Sequence, residues 1–315
     1  MKFLQINDVH SSDKDPRYRT DTYSDDIFKK LDTAFSMASD SRLDFVLFTG
    51  DVFHHPQASK VSHYLVNRWQ DLFRRYENIP VLIVPGNHDL AAGRIASLDR
   101  QPISSLCVSS HVSLLLEGMS FDIDGLRIMG LPWRYDVSAT TIVNAIAEKQ
   151  IDLLALHAPI TPSPNPFFST IQPSQISNLA RVISYGHIHT PMKPTKINAA
   201  WFVNPGALAR RVLGSSPIDE DDRDRVPSIA IVGISSKEVV VHYESVNARP
   251  ASEVYRTEVH DETVRRRFEI ESFIKSLGEA SIRRFTIEDL IVEIRKTSPD
   301  LEACEIAEEI LQASV

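Results

Sequence analysis

Five short polar clusters along the chain combine the residue types that hold divalent cations. They are Asn7-Asp8-Val9-His10, Thr49-Gly50-Asp51, Pro85-Gly86-Asn87-His88-Asp89, His157-Ala158-Pro159 and Gly186-His187-Ile188-His189. Together they offer carboxylate oxygen, amide oxygen and imidazole nitrogen, with no thiolate. That donor set suits Mn, Fe or Zn better than Ca or Cu(I). A single histidine after a strand is weak evidence, because most such residues are ordinary hydrogen-bonded histidines. The spacing adds to it. In Asp8-x-His10 and His187-x-His189 the paired residues stand two apart, so in extended backbone both side chains point the same way and can grip an ion from one edge.

Each cluster follows a strand-sized apolar run: Lys2 to Ile6, Phe45 to Phe48, Val81 to Val84, Leu153 to Leu156 and Val182 to Tyr185. Loops at strand carboxyl ends are where α/β architectures assemble sites. Between the runs, Asp25 to Ala38 and Ser59 to Tyr76 read as helices. Ile27, Leu31, Ala34, Phe35 and Ala38 fall on one stripe of the first, and Val61, Leu65, Trp69 and Leu72 on one stripe of the second. These stripes must pack on the sheet or on another subunit. Asp124-Gly125 inside Phe121 to Met129 is a hairpin signal, and Ser235-Ser236-Lys237 separates two Val/Ile-rich runs within Ser228 to Tyr243. The two hairpins predict a second sheet of antiparallel character.

The 315 residues allow two domains, or one large domain with an appendage. The strand pattern stops near Asn247, and Pro250 marks a linker. We therefore expect a domain over 1–246 and a helical module over 247–315, with helices at about Glu262 to Leu277, Ile287 to Lys296 and Pro299 to Gln312. Ser215 to Pro227 carries Asp219-Glu220-Asp221-Asp222 and reads as a solvated loop. Lys plus Arg number 34 against 42 Asp plus Glu, a net charge of −8, so the chain as a whole is not an electrostatic glove for nucleic acid. A polyanion must be met by a local patch or by bound cations. Cys107 and Cys304 lie far apart without metal spacing, which predicts no disulfide and a reducing compartment. No run approaches a membrane span, and Met1-Lys2 leads into Phe3-Leu4-Gln5-Ile6 with no apolar signal region, so a cytoplasmic location is expected, of cellular or viral source.

Taken in order, the clusters resemble the calcineurin-like metallophosphoesterases, whose pattern is D-x-H, G-D, G-N-H-D/E, H and G-H-x-H. The resemblance runs from about residue 8 to 189 and implies an α/β fold, a four-layer αββα sandwich, followed here by the small helical C-terminal module. It implies two divalent ions, Mn first, with Fe or Zn as alternatives. One ion would be held by Asp8, His10, Asp51 and His189, the other by Asp51, Asn87, His157 and His187, with Asp51 shared. A hydroxide between them would attack phosphorus in line. His88 would serve as the acid on the leaving side, its alternative role being to orient a ligand. Two dications about 3.5 to 4 Å apart repel, and a shared carboxylate screens that repulsion.

The run Gly50-Asp51-Val52-Phe53-His54-His55 is similar to the G-D-L-F-H segment of the Mre11/SbcD DNA-repair nucleases. His54 matches their second, non-metal histidine; an ordinary loop histidine is the competing reading. Asn204-Pro205-Gly206-Ala207 followed by Arg210-Arg211 resembles the region closing the site, where an arginine pair could hold backbone phosphate, or be merely solvated. The resemblance implies an exo- or endonuclease for DNA repair or recombination. Its partners would be DNA, a Rad50/SbcC-type ATPase docking on the C-terminal module, and a second copy meeting the first through the two helices. Arg265-Arg266-Arg267 and Arg283-Arg284 could touch DNA or be solvated helix faces. A small-molecule phosphodiesterase of the same fold is the nearest alternative, and a metal-free binding scaffold the more distant one.

Overall fold

The structure is a computed structural model, and it describes residues 1–146, 150–164, 169–211, 213, 223, 225–246 and 249–266. Among the described residues, twelve strands form two sheets. The first contains β1 (Lys2–Ile6), β2 (Phe45–Phe48), β3 (Val81–Ile83), β4 (Val112–Leu114), β11 (Ser228–Ile234) and β12 (Val239–Ser245), in the order β12-β11-β1-β2-β3-β4. The second contains β5 (Ser120–Ile123), β6 (Leu126–Leu131), β7 (Leu153–His157), β8 (Val182–Gly186), β9 (Met192–Ile197) and β10 (Ala200–Asn204), in the order β5-β6-β7-β8-β10-β9. β1 to β4 run parallel, as do β6, β7, β8 and β10. Antiparallel pairing is confined to the margins, β11 and β12 in one sheet and β5 and β9 in the other. The expected antiparallel second sheet is thus corrected: the two hairpins sit at the edges of different sheets. The turn of the β5–β6 hairpin is as read, with Asp124 and Gly125 both left-handed (φ 52° and 74°), the geometry that matches strand twist.

Side-chain alternation sorts the strands into layers. Phe3, Phe45 and Leu47 face the opposite sheet and meet Ile128, Leu153, Val182 and Val203. Leu4, Ile6, Val46 and Phe48 face the other way, onto α1 (Tyr23–Asp40) and α2 (His63–Arg75). On the far side of the second sheet, Leu154, Leu156 and Ile183 pack against Ile142 and Ile146 of α3 (Ala139–Ile146). Two buried sheets with helices on both outer faces form the four-layer α/β metallophosphoesterase sandwich. The stripes Ile27, Leu31, Ala34, Phe35 and Ala38 and Leu65, Trp69 and Leu72 are buried in this core, so they make no case for a second subunit.

The expected helix from Ser59 divides. Residues Ala58–Lys60 form a 3₁₀ turn and α2 begins at His63, because the Ser62 hydroxyl accepts the Leu65 amide at 3.0 Å as an N-cap. Most of the C-terminal module, with Arg267, Arg283, Arg284 and the expected helices Ile287 to Lys296 and Pro299 to Gln312, lies outside the described residues, as does Asp219 to Asp222. The chain just after Pro250 stays on the sandwich. Tyr255 pairs with Arg19, and Val254 and Tyr255 pack on Leu213. Among the described residues no helix is long and apolar enough to cross a membrane.

Candidate metal centre

The carboxyl ends of β1, β2 and β3 from one sheet meet those of β7 and β8 from the other. The join is polar. The Asn7 amide donates to the Tyr185 carbonyl at 2.8 Å and to Asn204 Oδ1 at 2.9 Å, while its oxygen accepts Gln5 Nε2 at 2.9 Å and the Thr49 hydroxyl. All four side chains are buried. This network fixes how the two sheets' loops face each other.

The loops are not extended where the chemistry is delivered. Asp8, His10, Asp51 and His187 have φ of 46°, 46°, 53° and 94°. Such backbone costs about 1 to 3 kcal/mol per residue and persists only where the surroundings hold it. Here the first two loops zip together: the His10 amide donates to the Asp51 carbonyl at 2.8 Å and the Ser11 amide to the Val52 carbonyl at 2.9 Å. The His187 amide donates to both Asp8 oxygens, at 3.1 and 3.2 Å. The paired residues therefore converge through kinks rather than through the strand alternation read from their spacing.

Two sub-clusters result. His10 Nε2 lies 3.0 Å from His189 Nε2 and 3.6 Å from Asp51 Oδ2, and Asp8, His10 and His189 offer ligand atoms within 4.8 Å of one another. Asn87 Oδ1 lies 2.9 Å from His157 Nε2 and 3.1 Å from His187 Nδ1, and Asp51 Oδ2 is 3.4 Å from His157 Nε2. Asp51 touches both groups. His157 Nδ1 is 2.7 Å from the Thr49 carbonyl, which can only accept, so Nδ1 carries a proton and Nε2 is the nitrogen that faces Asn87 and Asp51.

The model matching residues 1–191 is that of the Calcineurin-like phosphoesterase family. The chain belongs to that family. It is also 26% identical, over 295 residues, to the DNA double-strand break repair protein Mre11 of Archaeoglobus fulgidus, a match covering 84% of this chain. The chain spans 62% of the length of that relative. A solved structure superposes over 78% of this chain and 99% of its own at 13% identity, with a TM-score of 0.46.

The electrostatics of this calcineurin-like centre fit cations. Burial, with the neighbouring Asp51 charge, pushes the Asp8 carboxyl up to about 6, while the surrounding histidines hold Asp51 well below the usual range against its own burial. Burial drives His10 far down and His187 to about 3, leaving neutral imidazoles with lone pairs to give. His157 is also opposed by burial, but the Asp51 and Asp8 carboxylates raise it to about 9. Acceptor atoms thus face acceptor atoms in a buried space, and a proton on His157 offsets part of the carboxylate charge. Divalent cations would satisfy the same atoms.

The other expected residues fall in three places. His88 adjoins the cluster, its ring 4.7 Å from His10 and 5.2 Å from His54. Its Nδ1 donates to the His54 carbonyl at 2.7 Å, which puts Nε2 on the opposite edge of the ring. The His54 ring is half-buried, and burial followed by the charges of Arg211 and His88 lowers it to about 3. Asp89 accepts the amides of Gly86 (2.9 Å), Phe53 (3.0 Å) and Val52 (3.2 Å), tying the second and third loops together. Burial, with the Asp51 charge, raises it to about 7. The arginine pair separates. Arg210 is buried, and its guanidinium donates to the carbonyls of Arg249 and Arg223, both at 2.6 Å. Arg211 lies over the Tyr23 ring at 5.1 Å, on the His54 side of the centre.

Sequence reasoning named Asn7 and Asn204 within their clusters but gave neither a role of its own, and it missed Trp133. Asn7 directly follows β1 and Asn204 ends β10, just before Asp8 and Pro205, and a polar residue closing an apolar run was the available signal. Trp133 stacks on His187, with ring centroids 4.8 Å apart and planes 26° from parallel. It follows β6 as Pro132-Trp133-Arg134, an aromatic in a loop at a strand carboxyl end.

Proposed function

We propose that this chain is a two-metal DNA nuclease that hydrolyses phosphodiester bonds. The observation that carries the reading is the convergence of Asp8, His10, Asp51, Asn87, His157, His187 and His189 at one point, with Asp51 between the two histidine groups. Asp8, His10, Asp51 and His189 would hold one ion and Asp51, Asn87, His157 and His187 the other, Mn being the first choice. Bound there, the ions supply an acidified water as nucleophile and neutralise phosphate oxygens.

The chain's own residues do the rest. His88, fixed through Nδ1 by the His54 carbonyl, presents Nε2 to the leaving oxygen and gives it a proton from its imidazolium form. His54 packs on that ring and limits its rotation. Asp89 holds the Asp51 loop against the Asn87 loop. Arg211, whose charge reaches His54, would meet a backbone phosphate. Arg210, with both terminal nitrogens donating to carbonyls, acts by holding the loop that carries Arg211.

The DNA substrate is supported by the similarity to the archaeal break-repair protein and by the Gly50 to His55 segment. On the same ground we propose that residues 247–315 dock a Rad50/SbcC-type ATPase and that the chain works as a homodimer. The test is a panel in Mn: single- and double-stranded DNA against cyclic nucleotides and a chromogenic phosphodiester. Degraded DNA supports the reading. Intact DNA with a small ester turned over makes the chain a small-molecule phosphodiesterase. No transition metal by elemental analysis after Mn loading makes it a scaffold.

A further inference from the structure

A cavity of about 550 Å³ opens directly beside the metal centre, and Trp133 is the wall the two share. One side of the relation is the stack on His187. The cavity itself runs between the loop at 92–96 and the segment Pro132 to Asp136. Its volume falls within the range of small-molecule sites, about 300 to 1,000 Å³.

The indole is held firmly. The Trp133 amide donates to the Pro85 carbonyl at 2.9 Å, immediately before the Gly86-Asn87 loop. A Cβ at Gly93 would stand 2.9 Å from the indole Nε1, so only glycine lets that loop close on the ring edge. Tyr135, two residues on, is 80% exposed, a large aromatic with one side of the cavity as its neighbour and water over most of its surface.

The charge of the lining argues for the kind of occupant. Arg134 donates to both Asp136 oxygens, at 3.0 and 3.1 Å, and to Glu117 at 2.8 Å. With Arg94 exposed at the rim, two cations stand against two carboxylates and the cavity is formally neutral. It is therefore a poor phosphate site. It is a good site for a flat, uncharged aromatic group joined to a phosphodiester one side chain away.

We propose that the Trp133–Tyr135 cavity receives an unpaired nucleobase of the strand whose phosphodiester lies at the metal centre. This rests on the phosphodiesterase reading and extends it. A base within duplex is stacked and paired and cannot enter, so the cavity selects single-stranded or frayed DNA. Stacking on an aromatic face is tolerant of sequence, because every base has one.

The test measures binding of fluorescein-labelled (dT)₅ and of an abasic strand of the same length by anisotropy, both with hydrolysis-resistant phosphorothioate linkages and with Mn present. The wild type binds (dT)₅ about fivefold to 150-fold more tightly than the abasic strand. Tyr135→Ala and Trp133→Leu bring the ratio close to one, and Trp133→Phe keeps most of it. Tyr135 is too exposed for its loss to endanger folding, and a merely structural Trp133 would weaken both strands alike. Equal binding of the two strands by the wild type, or a preference that survives both substitutions, overturns the proposal. Turnover of a chromogenic phosphodiester by the wild type in Mn reads the metal centre separately. Turnover without base preference removes the cavity assignment alone; base preference without turnover removes the phosphodiesterase reading alone.

Discussion

The substitution Asp51→Asn changes one oxygen for nitrogen at the point where both histidine groups meet. The carboxamide oxygen it introduces can still accept the His88 amide, as the Asp51 carboxylate does at 2.8 Å, so the loop keeps its fold. What goes is the shared charge, 3.6 Å from His10 and 3.4 Å from His157. At a Mn concentration 100 times the dissociation constant, a single filled site stabilises the native chain by about 2.7 kcal/mol. For a domain of about 150 to 250 residues each kcal/mol moves the melting temperature by about 2 to 4 °C. The wild type should then gain roughly 5 to 11 °C from one ion and more from two. In the variant both sites lose their common carboxylate, and the gain should fall below about 2 °C at the same Mn concentration. The metal-free proteins should melt within about 3 °C of each other, since Asp8 is freed from a neighbouring charge while His157 loses one partner and keeps the other. Scanning fluorimetry across a Mn titration after chelation gives all of these values. A variant with the full wild-type gain would refute the placement of Asp51 at the heart of the centre.

Further predictions concern the shell and the scaffold. His88→Ala should keep the Mn-dependent gain in melting temperature yet slow phosphodiester turnover by about 10²- to 10⁴-fold, and an unchanged rate would reduce His88 to a packing role. Gly86→Ala would set a methyl 2.1 Å from Asp51 Oδ1 and 2.4 Å from the Asp51 amide, so about 1 to 3 kcal/mol of stability should be lost and Mn affinity with it. Calorimetric titration showing wild-type affinity would mean the loop yields elsewhere. Asp26 accepts from Lys30 at 2.7 Å and Arg19 at 3.0 Å, and although burial opposes its charge these partners hold the carboxyl below its ordinary value of 3.8. A carboxylate so depressed adds stability above pH 3.8 that is lost as the pH falls below it. Asp26→Asn should therefore cost about 3 to 5 kcal/mol in urea melts at pH 7 and less as acid is added, and a cost independent of pH would refute the pairing.

The parallel strands β1, β2, β3, β7 and β8 were legible because they are buried along almost their whole length and read as apolar runs, as Phe45-Val-Leu-Phe48 does, whereas β4, with half-buried Ser113 and Leu114, and β10 were not read. β9 was not: Met192-Lys-Pro-Thr-Lys-Ile197 is an edge strand with exposed lysines and a proline, and nothing in its local chemistry separates it from a loop. The clusters carrying Asp8, His10, Asp51, Asn87, His157, His187 and His189 could be named from residue type, and the set itself from the family resemblance, but its backbone could not. Left-handed Asp8 and His10 depend on the Asp51 and Val52 carbonyls, more than forty residues away in sequence. Arg210 and Arg211 show the limit most clearly. Adjacent and identical, they go to a carbonyl-lined interior and to the rim of the centre, a difference set by Arg249 and Arg223 in segments that the pair itself does not reveal.

Asp8, His10, Asp51 and Asn87 hang from one sheet, while His157, His187 and His189 hang from the other, and Asn7 rivets the two layers between them. Neither layer alone owns a full grip on an ion. A nascent chain with only its first half folded would be unable to capture metal tightly, and the centre would be complete only after the last parallel strand had docked. Assembly order thus acts as the safety catch.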